Sequence, residues 1–223
     1  MQFIYEFVYT VFMAYAALFP VLNPLGQSIV FNSITYELPF SVRTRIAKKI
    51  AVNIFVLLLV ILIVGAWVLK LFGIEIPIVQ IGGGAVVATV GWKIMNKSED
   101  DNQANPYRIT TEEKALSMAF FPLTLPMVAG PGSITVAITL GANEIGQNIL
   151  LVLVHYLGMA IGIALAALTV YLCYHSAGYL TKRVGKSGTL VIMKLSAFIS
   201  LCIGLSIVWK GIQGLLFTYG IMH

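Results

Sequence analysis

The sequence predicts an all-α membrane protein: six transmembrane helices as two inverted three-helix repeats, with spans 1 and 4 broken by Pro and Gly at the membrane midplane. Three observations predict this. First, 59% of the 223 residues are hydrophobic and only 10% are charged, against about 25% charged in an average soluble domain. Mean hydropathy is +0.92. Second, the apolar residues fall into long runs separated by short polar stretches, which is the signature of a polytopic membrane protein. Third, one short stretch occurs twice. Phe19-Pro20-Val21-Leu22-Asn23-Pro24 aligns without a gap on Phe121-Pro122-Leu123-Thr124-Leu125-Pro126. A three-residue insertion then brings Ser28-Ile29 onto Ser133-Ile134. Proline removes a backbone donor and clashes with the preceding turn, and glycine weakens a helix further. Each copy therefore breaks a helix inside an apolar run.

The elements follow in order. Span 1 covers residues 3–35 and contains the first break. The start, Met1-Gln2-Phe3-Ile4-Tyr5-Glu6, lacks the basic region of a cleaved signal peptide and reads as the beginning of this span. Residues 36–49 form a polar connection carrying Arg43, Arg45, Lys48 and Lys49. Span 2 is a strong apolar run over 50–71, and a tight turn through Gly73 and Pro77 leads to span 3 over 78–95. A hydrophilic linker occupies 96–114, with Glu99-Asp100-Asp101 and Asn105-Pro106, and reads as a solvated loop. Span 4 covers 115–140 and contains the second break. Gly141-Ala142-Asn143-Glu144 turns the chain into span 5, 145–174. The basic stretch 180–186 precedes span 6, 190–217. The chain thus divides into a first repeat (1–95), a cytoplasmic linker (96–114) and a second repeat (115–223). An odd number of crossings per repeat inverts one relative to the other.

Basic residues set the orientation. The loops after spans 1, 3 and 5 hold Arg43, Arg45, Lys48, Lys49, Lys93, Lys97, Arg108, Lys114, Lys182, Arg183 and Lys186, most of the 14 Lys and Arg. The positive-inside rule puts these loops in the cytoplasm and both termini outside. The same distribution accounts for the net charge of +5 and gives no nucleic-acid footprint. Broken segments that failed to cross would misplace the basic residues after span 5, so both are expected to cross.

A break at the midplane exposes half-helix ends. Non-helical backbone survives there only when buried in protein or lining a cavity, and a matched pair of breaks in two halves points to a transporter binding site. A lone break is more simply a kink that lets helices cross. The start of a half-helix offers free N–H groups and a positive dipole to an anion such as a carboxylate. Pro24, Gly26, Gln27 and Ser28 occupy that place in span 1, and Gly130, Gly132 and Ser133 in span 4. The ends that stop a half-helix offer carbonyls to a cation, near Leu22 and Thr124, with Asn23 and Thr124 adding polar side chains. Asn23 also suits a cap for the following half-helix. Gly84, Ala88, Ser200 and Gly204 belong to rows of small residues at four-residue spacing, which read as close-packing surfaces, with Gly84 and Gly204 also able to shape a cavity.

Other chemistry is poorly supplied. None of the nine acidic residues lies near the middle of a span, so proton coupling through a buried carboxylate has no candidate. His155 is the intramembrane histidine; it could titrate, and a hydrogen bond between helices is the simpler reading. No H-E-x-x-H, paired intramembrane aspartate or G-x-x-x-x-G-K-[ST] loop is present, so neither an enzyme nor an ATP-driven pump is expected. Cys173 and Cys202 sit in apolar segments and suggest neither a disulfide nor a metal site.

The segments FPVLNPLGQSIVF and FPLTLPMVAGPGSIT, the glycine-rich IGGGAVVATVGWKIM and the VGKSG stretch resemble the MarC family of bacterial and archaeal inner-membrane proteins over essentially the whole chain. That resemblance implies a multi-pass protein of the inner (plasma) membrane. It further implies a secondary transporter of small neutral amino acids, of the glycine and alanine class, driven by an ion gradient. Sodium or a proton would be the coupling ion, with no bound cofactor. The expected partners are the substrate and the lipid bilayer; a homo-oligomer stays open. Two alternatives stand beside this reading: an exporter or flippase of a larger amphiphile such as a drug or lipid, and a non-transporting scaffold. A small pocket walled by small residues favours the amino acid, and a wide basic opening favours the lipid.

Overall fold

The computed structural model describes residues 2–96, 109, 111–142 and 149–220. Of the expected linker at 96–114, residues 97–108 and 110 lie outside them, as do the turn residues 143 and 144; residues 112–114, expected as loop, instead begin a helix. The helices are α1 (Gln2–Leu22), α2 (Pro24–Thr35), α3 (Phe40–Leu71), α4 (Ile76–Met95), α5 (Glu112–Met118), α6 (Pro131–Ala142), α7 (Ile149–Gly185) and α8 (Ser187–Thr218). Every regular element among the described residues is helical. Five are long and apolar enough to cross a membrane: α1, α3, α4, α7 and α8. Their outward faces are apolar; Phe12, Trp67, Leu71 and Leu172 are all exposed.

The expected elements are redrawn in three places. Helix α3 begins at Phe40, inside the stretch expected to be a polar connection. The reason is its periodicity. Ile46, Ile50, Ile54, Leu58 and Leu62 repeat every four residues and are all buried, and Val42 and Ala47 extend that stripe into the basic segment. The charged residues occupy the remaining faces of one continuous helix. Helix α7 likewise runs past residue 174 to Gly185, whose positive φ of 71° separates it from α8. Third, residues 115–140 contain no spanning helix. They divide into the end of α5, a turn-rich stretch over 119–130, and the 12-residue α6.

The α3–α4 turn is locally encoded. Gly73 takes φ 66°, a region that costs glycine little. Ile74 N–H donates to Leu69 O at 2.9 Å and Gly73 N–H to Lys70 O at 3.1 Å, the bonding pattern of a Schellman stop. Pro77 then starts α4, where its missing N–H is of no consequence.

Packing interleaves the two halves of the chain. Helices α1 and α2 run in the same direction along α7. Thr10 faces Gly158, Ala14 faces Gly162, the Phe31 ring stacks on Tyr174 at 4.6 Å, and Asn32 donates to Thr181 Oγ1 at 3.3 Å. The distance covered along α7 is roughly 35 Å at 1.5 Å per residue. Helices α5 and α6 run likewise along α3. Arg45 pairs with Glu112, Lys49 donates to Leu116 O at 3.1 Å, Asn53 donates to Thr124 Oγ1 at 3.4 Å, and Gly65 faces Ile138.

The remaining pair, α4 and α8, crosses antiparallel at very short range. A β-carbon on Gly84 would lie 2.7 Å from Gly204 O, and one on Gly204 would lie 2.7 Å from Gly84 O. The contacts on either side are reciprocal. Gly91 meets Ala197 O and Gly211 meets Pro77 O, each at 2.7 Å; Gly84 meets Val208 N as Gly204 meets Ala88 N. With lipid as solvent there is little hydrophobic drive between helices, and backbone approach of this kind supplies the association.

The neighbouring Gly82 has open space around it. Gly84→Val is therefore expected to cost about 1–3 kcal/mol through overpacking, and Gly82→Val to stay within about 0.5 kcal/mol of the parent. Unfolding of the purified proteins in detergent, followed by denaturant titration, measures the difference.

Candidate functional site

The first break is a single residue. Asn23 adopts the left-handed conformation (φ 46°, ψ 57°) between α1 and α2. Asparagine tolerates this region because its short polar side chain bonds locally. Here Asn23 Oδ1 accepts from Gly26 N–H at 3.1 Å, capping α2, while Asn23 N–H donates back to Phe19 O at 3.1 Å. Pro24 begins α2 and has no donor to satisfy. At the end of α1 the carbonyls of Pro20, Val21 and Leu22 receive no backbone donor among the described residues.

The second break is longer. Leu125 stands where Asn23 stands in the first, and leucine has neither the short polar side chain nor the tolerance for a left-handed turn. The chain instead passes through residues 119–130 in successive turns, with cis peptide bonds before Pro122 and Pro126. Pro131 begins α6. Ile134 N–H donates to Gly130 O at 3.2 Å, and the amides of Gly132 and Ser133 reach no acceptor among the described residues. The two serines match: Ser28 Oγ donates to Leu25 O at 2.7 Å and Ser133 Oγ to Gly130 O at 3.0 Å.

The breaks face each other. Gln27 Nε2 donates to Met127 O at 2.9 Å, joining the start of α2 to the turns before α6. A β-carbon on Gly132 would lie 3.1 Å from Val21 Cγ1 and would collide with Val87, so α6 starts against both α1 and α4. Between them lies a half-open cavity of about 60 Å³, with Val86 and Val90 exposed at its mouth. Its polar lining is Asn23, Gln27, Gly130, Gly132, Ser133 and Ser200; its apolar wall is Val21, Val86, Val87, Val90 and Ile94, with Pro126, Met127, Val128 and Pro131. No ionisable side chain is in that lining. One water needs about 10–15 Å³ on this scale, so the cavity takes roughly four to six water-sized groups.

The description "MarC family integral membrane protein" matches residues 8–216. The chain belongs to the MarC family. Among its relatives, a UPF0056 membrane protein of Pyrococcus horikoshii is 28% identical over 209 residues, covering 94% of this chain and 97% of that protein. The UPF0056 membrane protein YvbG of Bacillus subtilis is 28% identical over 214 residues, covering 95% and 96%. The UPF0056 inner membrane protein MarC of Salmonella typhimurium is 27% identical over 211 residues, covering 91% and 93%. No solved structure matches the chain. With five candidate spans, this MarC family member is an integral multi-pass membrane protein.

Of the residues singled out in the sequence, Asn23, Gln27, Gly130, Gly132 and Ser133 meet at the cavity of this MarC chain. Pro24, Gly26 and Ser28 lie behind it, building and capping α2. Leu22 ends α1 outside the lining, with its carbonyl unpaired. Thr124 is turned away. Its hydroxyl donates to Ala119 O at 2.7 Å and accepts from Asn53, and its carbonyl receives Val128 and Ala129 N–H. The expected free carbonyl at Thr124 is thus occupied, because the irregular stretch folds back and satisfies itself. Gly84 and Gly204 pack on each other and do not line the cavity. The valine wall was missed, since apolar residues in a glycine-rich span look alike whether they face lipid or a cavity.

Asn23→Ala removes both the cap and the left-handed tolerance and is expected to cost about 1–2 kcal/mol. Asn23→Gly should recover most of this, because glycine takes the same conformation freely. Denaturant unfolding of the three proteins in detergent separates the two contributions.

Proposed function

We propose that the protein is a secondary transporter of small neutral amino acids, glycine and alanine above all, with its site in the cavity between the two breaks. The observation that carries this reading is the chemistry of that cavity: small, without ionisable side chains, polar on one side and walled by valines on the other. A glycine zwitterion has five non-hydrogen atoms and alanine six, the size that roughly four to six water-sized groups allow. The unpaired amides of Gly132 and Ser133, at the positive end of α6, suit the carboxylate. Asn23 Oδ1 and Gln27 Oε1 suit the ammonium group; Gln27 keeps Oε1 free by donating through Nε2. The branched wall suits a hydrogen or methyl side chain and crowds a larger one.

In this reading α1–α2 and α5–α6 are two broken spans that complete six crossings, related by inversion about the α4–α8 crossing. Three observations support it. The α4–α8 contacts are reciprocal about Gly84 and Gly204. The first broken segment follows α7 as the second follows α3. Both proceed in one direction along their partner, as segments that cross would. The uncapped carbonyls at the end of α1, where Val21 lines the cavity, suit a coupling cation, sodium or a proton.

The test is uptake of labelled glycine, alanine and leucine by the purified protein in liposomes under sodium, proton and null gradients. Glycine and alanine should enter in a gradient-dependent way and leucine poorly. Gln27→Leu should raise KM at least about tenfold, the loss of one hydrogen bond to a charged group. Well-folded protein that moves none of the three under any gradient would sink the proposal.

A further inference from the structure

A second, larger hollow lies away from the two breaks, along the seam where α3 and α7 run antiparallel. It is an open groove of about 420 Å³ lined by Lys48, Ala51, Val52, Phe55, Ala164, Ala167, Leu168 and Tyr171. Its origin is local. Ala51 and Ala167 are buried at the contact, and neither has enough bulk to fill the seam, while Val52 and Leu168 stand exposed as walls. One end is polar, at Lys48 and Tyr171. About one turn beyond it, Thr44 Oγ1 and His175 Nδ1 lie 3.2 Å apart, with the Phe40 ring 5.0 Å from the His175 ring. The other end, at Phe55 and Ala164, is apolar.

Two features identify the occupant. The first is charge. Four basic residues sit in the first three turns of α3. Arg43 donates to Asn32, Arg45 pairs with Glu112 and Lys49 donates to Leu116 O. Lys48 alone of the four makes no hydrogen bond or ion pair among the described residues, and it is the one that lines the groove. It lies just before the apolar run at 50–71, where the charged turns of α3 give way to its apolar length. The second feature is length. From Lys48 and Tyr171 to Phe55 and Ala164 the groove covers roughly 10 Å. That is about a third of the ~30 Å hydrocarbon core, so it stays within one leaflet. A helix from a second copy would need the full thickness and would have to bury Lys48.

We infer that the α3–α7 seam binds one anionic phospholipid, its phosphate on Lys48 beside Tyr171 and one acyl chain laid over the alanine floor. The site is separate from the cavity between the breaks and does not depend on what that cavity carries.

The test uses the full chain in a neutral detergent, with phosphatidylglycerol, phosphatidylcholine of the same acyl chains, or inorganic phosphate added. Bound lipid is read by native mass spectrometry and thermal unfolding is followed in parallel. The parent protein should retain phosphatidylglycerol over phosphatidylcholine by about fivefold, the preference one basic residue near the surface gives. It should be stabilised by that lipid and not by inorganic phosphate. Lys48→Gln should lose the headgroup preference and still retain lipid. Ala164→Phe, at an exposed position, should unfold as the parent does without lipid and should lose retention of both lipids. Equal retention of the two lipids by the parent, or an unchanged preference in Lys48→Gln, overturns the inference. So does stabilisation by inorganic phosphate alone, which would mark a simple anion site. A parent that sediments as a dimer and becomes a monomer on Ala164→Phe would make the seam a subunit contact and also overturn it.

Discussion

A backbone amide or carbonyl held in hydrocarbon without a partner costs several kcal/mol, and this chain twice interrupts its helices within apolar runs. The rest of the structure follows from that constraint. Each interruption must be enclosed by other helices, so the chain folds α4, α6 and α8 around the two breaks. The bonds that can be made locally are made: Asn23 caps α2, Ser28 and Ser133 donate to carbonyls three residues back, and the turns before α6 satisfy Thr124 and Phe120. Among the described residues, the last carbonyls of α1 and the first amides of α6 are among the groups left without a backbone partner.

Enclosure in turn demands close packing. The α4–α8 crossing lets two glycine-bearing surfaces meet at backbone distance, which draws α4 near enough for its valines to form the cavity wall. Volume is controlled from the same place. Gly83 meets Thr135 and Gly132 meets Val87 with no space for a β-carbon. A small cavity is therefore a by-product of helices packed through their smallest residues.

Much of this was legible in the sequence. The apolar runs located the five helices long enough to span, though a sixth was expected at 115–140, the paired prolines located both interruptions, and Asn23 announced itself as a cap. The limits of α3 and α7 were harder to read, because a helix that projects beyond the bilayer carries charge on its outward faces and looks like a loop by composition; only the buried stripe of Ile46, Ile50 and Ile54 shows it as helix. The repeat also suggested two equivalent breaks. One asparagine-for-leucine difference, with three inserted residues, gives one a single-residue hinge and the other a dozen residues of turns. Long-range partners were out of reach. Nothing local says that Gln27 bonds to Met127 or that Thr124 turns toward Asn53.

The interleaving has a consequence for how the chain is made. Helices α1 and α2 lay their buried faces on α7, which leaves the ribosome only after most of the polypeptide has been synthesised. The first interruption is therefore synthesised well before the helix that α1 and α2 pack on. Helix α3 meets α5 and α6 sooner, so the second interruption is sheltered almost as it forms. The order of synthesis makes the two related segments unequal clients of the insertion machinery.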